Sequence, residues 1–254
     1  MNARRGKRAA LVTGASYGVG AAIALAFAQE GCDVAICATH VDHLKATSAR
    51  IASTGIRALP LTLDLREPES VKRAMAEAAS QLGGIDVLVN NAASFLRKPA
   101  LEMTPAEWDE VMAVNLRGAF FLAQQIARHL VARGAPGAIV NIASTHGLIG
   151  AAERSVYGIS KGALIQMTRM LAIEWARYGI RVHAVAPGRM DTASPARAER
   201  TTDPQYLEAM RARIPLNRLT TVEEVAAAVC FLAGERAASI TGQILVLDGG
   251  MTAA

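Results

Sequence analysis

The sequence predicts an α/β protein built on one doubly wound parallel sheet of about seven strands, with helices on both faces. Three observations carry that expectation. Short β-branched runs alternate with Ala-rich helical segments along the whole 254-residue chain. Most of those runs are continuously apolar, as strands covered on both faces are. The first of them ends in a glycine-rich turn, the place where such a sheet binds a ligand.

The strand candidates are "AALVT" (9–13), "DVAICA" (33–38), "ALPLTL" (58–63), "IDVLVN" (85–90), "AIVNIA" (138–143), "RVHAVA" (181–186) and "QILVLD" (243–248). Helical stretches lie between them near 18–30, 41–53, 68–82, 105–131, 155–178 and 221–233. Strict alternation implies right-handed crossovers. No linker, repeat or low-complexity segment interrupts the pattern, so residues 1–254 read as a single domain. Residues 1–7 form a basic arm. The one long connection, about 189–218, carries Pro195, Pro204 and Pro215 and reads as a substrate lid, with "QYLEAMRARI" as a short lid helix.

Composition excludes several classes. The chain is 52% apolar and 19% charged, an ordinary balance for a soluble protein. No apolar run reaches the ~18–20 residues that span a bilayer, and the apolar stretch in "MNARRGKRAALVTG" is too short for a signal-peptide core. Cys32, Cys37 and Cys230 are odd in number and form no C-x-x-C pair. That argues against a disulfide framework or a metal site and for a reducing compartment, hence a cytoplasmic protein without a membrane partner. Arg4, Arg5, Lys7 and Arg8 account for most of the net charge of +5. The expectation is a solvated arm and no nucleic-acid partner, with nucleic-acid binding through that arm as a rival reading.

Two motifs carry chemistry. In "TGASYGVG" (13–20), Gly14, Gly18 and Gly20 allow a tight turn and close approach of backbone to a pyrophosphate at a helix N-terminus. In "SVYGISKGAL" (155–164), Tyr157 and Lys161 share one helix face. Taken alone, that spacing describes an amphipathic helix with two surface groups. Ser144 ends a strand, and Asn115 interrupts an apolar helix face, where a buried, hydrogen-bonded amide is the plain reading.

Taken together and in order, these residues resemble the short-chain dehydrogenase/reductase family from about Arg8 to Gly250. The family's T-G-x-x-x-G-x-G falls on Thr13–Gly20, and its N-N-A-G on "NNAA" at 90–93, with Ala93 in place of glycine. Its Asn falls on Asn115, its Ser on Ser144, its Y-x-x-x-K on Tyr157 and Lys161, and its P-G on Pro187–Gly188. The likeness extends to 3-oxoacyl carrier protein reductases and, through "RKPALEMTPAEWDEVMAVN", to gluconate-type dehydrogenases.

The resemblance implies a Rossmann-type fold and an NAD(P)-dependent oxidoreductase that interconverts a secondary alcohol and a ketone. Tyr157 would be the general acid/base, Lys161 would tune it, Ser144 would hold the substrate oxygen, and Asn115 would belong to a water-linked proton path. A free tyrosine titrates near pKa ~10, and lowering it by about 3 units takes about 4 kcal/mol. An ammonium about 4 Å away at an effective dielectric of ~20 supplies about that much. Cofactor contacts are implied at Gly14, Ser16, Tyr17, Gly18, Val19 and Gly20, at Asp64 and Leu65 for adenine, and at Asn91. Tyr157, Lys161, Pro187, Gly188 and Met190 complete that set. A non-catalytic dinucleotide sensor on the same fold is the alternative.

NAD users place an acid about 20 residues past the glycines; Ala38 stands there, so NADP is favoured over NAD. Tyr17 and Thr39 occupy the two places where NADP users often carry arginine. Thr39 and His40 are the expected phosphate donors, with Lys45 more remote. His146, Glu153 and Arg154 flank the catalytic groups, and Phe95, Leu96, Arg97 and Lys98 follow the fourth strand. The lid holds six arginines against four acids; such charges ordinarily face solvent, but the balance would also suit a partly anionic substrate, and a 3-oxoacyl thioester or a sugar or sugar acid are the substrate expectations. Leu164, Met167, Leu171 and Trp175, with Ile165, Ala172 and Ala176 beside them, form a wide apolar stripe. It signifies either deep burial in one subunit or, with the family's habit, a homotetramer.

Overall fold

The computed structural model describes residues 7–190 and 204–253. Seven parallel strands form one sheet: β1 (Ala9–Thr13), β2 (Asp33–Ala38), β3 (Ala58–Thr62), β4 (Val87–Asn90), β5 (Gly137–Ile142), β6 (Ile180–Pro187) and β7 (Ile244–Leu247). Their spatial order is β3-β2-β1-β4-β5-β6-β7. The order reverses between β1 and β4, which opens a crevice beyond their carboxyl ends. Within β1, β4 and most of β2 every side chain is buried, which is why those segments are apolar without alternation. The edge strand β3 alternates instead, and its exposed Pro60 is tolerated because an edge has no second ladder to supply.

Helices α1 (Gly18–Gln29), α2 (Lys45–Ala52) and α8 (Val222–Ala233) cover one face, packing Ile23, Phe27, Ile51 and Val229 on the strands. Helices α3 (Pro68–Leu82), α5 (Ala119–Ala132) and α6 (Ser155–Trp175) cover the other with Met75, Leu122, Ile126 and Leu164. Helix α7 (Pro204–Arg211) lies inside the long connection, where the lid helix was expected. Residues 191–203 of that expected lid fall outside the described residues, as does most of the basic arm.

The helix expected over 105–131 is not continuous. Thr104 and Glu107 form a reciprocal cap for α4 (Pro105–Met112), and a π-helical turn, Ala113–Gly118, then separates α4 from α5. Two contacts fix that turn. Asn115 is pinned by its amide, and Gly118 lies so close to Leu65 that a Cβ there would stand 2.4 Å from the Leu65 carbonyl oxygen.

The stripe of α6 is also clarified. Leu164, Ile165, Met167, Leu171 and Ala172 of that stripe are buried within the subunit, whereas Trp175 is half-buried and Ala176 exposed. The exposed apolar residues of α6 are Ile159, Met170 and Ile173.

Candidate active site

The crevice at the switch point is a cleft of about 510 Å³ walled by the turn after β1, the ends of β2 and β3, the loop after β4, Tyr157 and Met190. Gly14 and Gly18 have φ of +64° and +57°, conformations that side chains disfavour. Gly20 is required for another reason: a Cβ there would lie 2.2 Å from the Gly14 carbonyl oxygen and 2.5 Å from Asn91 Nδ2. Asn91 fastens this turn, donating from Nδ2 to the carbonyl oxygens of Thr13 (2.9 Å) and Gly14 (3.0 Å). Thr13 Oγ1 in turn accepts from the amides of Asn91 and Ala92, both at 3.0 Å. No side chain caps the N-terminus of α1, and its first turn carries no acid. The backbone donors there suit an anion. Backbone held this close, with glycine at 14, 18 and 20, fits the pyrophosphate of a dinucleotide.

Ser16, Tyr17, Val19, Thr39, Asp64 and Leu65 line the cleft together with the glycines and Asn91. His40 does not line it; His43 does. The turn Val41–Leu44 is a single 3-10 turn rather than the start of a helix, and this carries His43 to the cleft wall. Lys45 stands outside that wall in an ion pair with Asp42 at 2.8 Å. Asp64 is held by Arg66, whose Nη2 lies 2.6 Å from its carboxylate, and that guanidinium keeps the Asp64 carboxyl below its usual range. Sequence spacing gave no signal for Arg66 or His43. Pro187 and Gly188 end β6 outside the cleft lining, with the Gly188 amide bonded to the Leu247 carbonyl.

Of the expected catalytic residues Tyr157 lines the cleft, while Asn115, Ser144 and Lys161 do not; Tyr157 is 9% exposed and Lys161 only 2%. Lys161 Nζ donates to the carbonyl oxygen of Ile142 at 2.7 Å and lies 5.7 Å from the centre of the Tyr157 ring. Burial pushes its ammonium down to about 8. Ser144 Oγ accepts from the His146 amide at 3.2 Å, at the carboxyl end of β5. The Tyr157 ring meets Phe95 edge-on on one side (5.0 Å) and His146 on the other (6.2 Å), and the Arg154 guanidinium lies 4.4 Å over Phe95. Nearby, Arg97 pairs with Glu153 and Lys98 with Glu107.

Asn115 is buried behind these groups with its amide committed. Oδ1 accepts from the Ser94 amide at 2.7 Å, and Nδ2 donates to the Ser94 carbonyl (2.9 Å) and to Ser160 Oγ (3.0 Å). Ser160 lies beside Lys161 on α6, so Asn115 ties the loop after β4 to the helix that carries Tyr157. A second buried chain, unmarked in the sequence, runs Asn90–Asn141–Thr168 across β4, β5 and α6. Among the described residues no cluster of His, Cys, Asp or Glu would hold a metal ion, and no helix is long and apolar enough to cross a membrane. The three cysteines are buried, and burial pushes the Cys37 and Cys230 thiols up to about 12.

Comparison with known proteins gives this geometry its context. Residues 14–252 match the family described as "Enoyl-(Acyl carrier protein) reductase". The chain is 41% identical to the 2-(R)-hydroxypropyl-CoM dehydrogenase of Xanthobacter autotrophicus, over 97% of this chain and 99% of that one. It is 35% identical to the 2-dehydro-3-deoxy-D-gluconate 5-dehydrogenase of Escherichia coli, over 97% and 96%. Among solved structures, a gluconate 5-dehydrogenase from Burkholderia cenocepacia in complex with NADP and tartrate superimposes with a TM-score of 0.91 at 33% identity, covering 99% of this chain and 97% of that one. With the glycine turn, the seven-stranded parallel sheet and relatives of this kind over nearly its whole length, the chain belongs to the short-chain dehydrogenase/reductase family, NAD(P)-dependent oxidoreductases acting on CH–OH groups.

Proposed function

We propose that the protein interconverts a secondary alcohol and a ketone with Tyr157 as general acid/base, and the observation that carries this is the burial of Lys161 beside the Tyr157 ring. The ammonium, 5.7 Å from the ring centre, has the sign that favours the phenolate. A nicotinamide dinucleotide held in the cleft would supply hydride exchange with the carbinol carbon and, when oxidised, a second positive charge. Ser144, at the end of β5, orients the substrate oxygen toward Tyr157, which moves the proton at that atom. Asn115, which ties Ser94 to Ser160 next to Lys161 in the chain, belongs to the proton path that reaches that lysine. The cofactor is held at Gly14–Gly20, Asp64, Leu65, Asn91 and Met190, with NADP favoured over NAD because no carboxylate stands at residue 38.

The substrate is a sugar or a sugar acid. Arg154 over Phe95 supports this reading, since Phe95 packs edge-on against Tyr157 and so a guanidinium lies one ring away from the acid/base. A 3-oxoacyl thioester is the second candidate. A homotetramer is supported by Ile159, Met170 and Ile173 on the outer face of α6 and Phe121 on α5, all exposed in the single chain. Light scattering of Ile173→Glu beside wild type checks it; equal masses would count against an interface there.

Replacing Tyr157 by Phe tests the assignment of the acid/base. Cofactor binding and folding stay near wild type, and turnover falls by about 10²–10⁴, the usual worth of such a group. Turnover within a few-fold of wild type would remove Tyr157 from the chemistry and leave the dinucleotide-sensor alternative in force.

A further inference from the structure

We propose that His43 recognises the ribose 2′-phosphate of the dinucleotide and sets the preference for NADP; this rests on reading the cleft as a dinucleotide site. With the pyrophosphate at the N-terminus of α1, the adenosine ribose comes to the carboxyl end of β2. Ala38, Thr39 and His43 form the cleft wall there. Neither of the two usual arginine places holds a cation, since Tyr17 and Thr39 occupy them.

The turn bearing His43 is well fixed. Leu44, next to it, is fully buried under the sheet. Thr47 Oγ1 donates to the Ala15 carbonyl at 2.9 Å and so ties the start of α2 to the glycine turn. His40 and His43, three residues apart on the 3-10 turn, meet edge-on at 5.3 Å. The carboxylates near this end are engaged: Asp42 by Lys45, and Asp64 across the cleft by Arg66, which also reaches the cleft-lining Glu110 at 3.4 Å. An imidazole donates a hydrogen bond from one ring nitrogen when neutral and from both when charged. It therefore gains an acceptor from a 2′-phosphate that a bare 2′-hydroxyl does not supply as strongly.

Calorimetry on the full chain with adenosine 2′,5′-bisphosphate and with AMP isolates the 2′-phosphate, and titrations with NADP and NAD repeat the comparison on whole cofactors. Wild type binds the bisphosphate more tightly than AMP. His43→Ala weakens the bisphosphate about 10-fold and leaves AMP within about twofold, whereas His43→Arg keeps or strengthens the preference. His40→Ala leaves both ligands within about twofold. A His43→Ala chain whose bisphosphate-to-AMP ratio equals that of wild type overturns the assignment. A folded wild type that binds neither NADP nor NAD instead overturns the dinucleotide reading on which it rests.

Discussion

Lys161 donates a 2.7 Å hydrogen bond to the carbonyl oxygen of Ile142 from a site almost without solvent. The ammonium is thus held by the end of β5, the strand that also delivers Ser144, and not by a carboxylate. Burial is the one cause that lowers its pKa, from 10.5 to about 8. Because the folded value lies below the unfolded one, the fold favours neutral Lys161. That contribution is full above about pH 10.5 and is lost as pH falls through about 8. At neutral pH the buried charge costs about 3 kcal/mol.

Two outcomes follow for this lysine. Lys161→Met abolishes most turnover and weakens cofactor binding, yet its thermal midpoint at pH 7 rises by a few degrees, since about 1 kcal/mol is worth about 2–4 °C at this size. A midpoint below that of wild type would mean the charge is not strained. In Lys161→Ala, the acid-side limb of the pH–rate profile for alcohol oxidation moves to higher pH, because Tyr157 loses its neighbouring cation. A limb that stays in place would sever Lys161 from the tuning of Tyr157.

Gly20→Ala tests the cradle. The added methyl meets the Gly14 carbonyl and the Asn91 amide group well inside contact distance, and neither has room to retreat. Overpacking of this kind costs about 1–3 kcal/mol, and displacement of the turn lowers dinucleotide affinity by at least about 10-fold. Gly150→Ala, where nothing lies within 4 Å, is the neutral control. If the two variants melt and bind alike, the turn is not a close-fitting cradle.

His183, on β6, makes a separate prediction about acid stability. It is fully buried, its Nε2 lies 3.0 Å from Arg181 Nη1, and its Nδ1 has no hydrogen-bond partner. Burial first, and then the Arg181 charge, push it down to about 4 from 6.5. The folded state therefore favours the neutral ring. Its contribution is full above about pH 6.5 and is lost as pH falls toward 4. Between pH 7 and 5 this one group removes about 2 kcal/mol. Urea unfolding of wild type and His183→Leu at both pH values measures it. The variant loses less over that interval, and equal losses would place the acid sensitivity elsewhere.

Much of this was legible because a buried parallel strand leaves an unbroken apolar signature. β1 and β2 coincide with their expected ranges, and the other five strands differ by one or two residues at their ends. The glycines were legible for a similar reason, since positive φ and close backbone approach exclude other residues. What periodicity could not reveal was the π-helical turn, which is set by Ser94, Leu65 and Ser160, far from Asn115 in sequence. Nor could it separate His40 from His43, which depends on a 3-10 turn anchored by Leu44. The α6 stripe is ambiguous for a different reason: apolar spacing gives the width of a buried face but not which neighbour covers it.

Ala38→Asp decides which cofactor the cleft was shaped for. Ala38 closes β2 opposite Thr62 and lines the cleft beside Thr39. A carboxylate there accepts hydrogen bonds from a ribose 2′-hydroxyl and repels a phosphate that carries nearly two negative charges. At about 5 Å and an effective dielectric of ~20 the repulsion is roughly 3 kcal/mol per charge pair. Residue 38 is itself buried, but the exposed side chains of Thr39 and His43 mark the site as a rim open to water, which screens that figure. The expected change is a 10–100-fold loss of kcat/KM with NADP, with NAD kept or improved. Wild type is measured first, and a several-fold preference for NAD would overturn the NADP reading. If wild type prefers NADP and the variant discriminates just as it does, residue 38 does not face the 2′ position. The ribose would then lie on the Asp64–Arg66 side of the cleft, away from the end of β2.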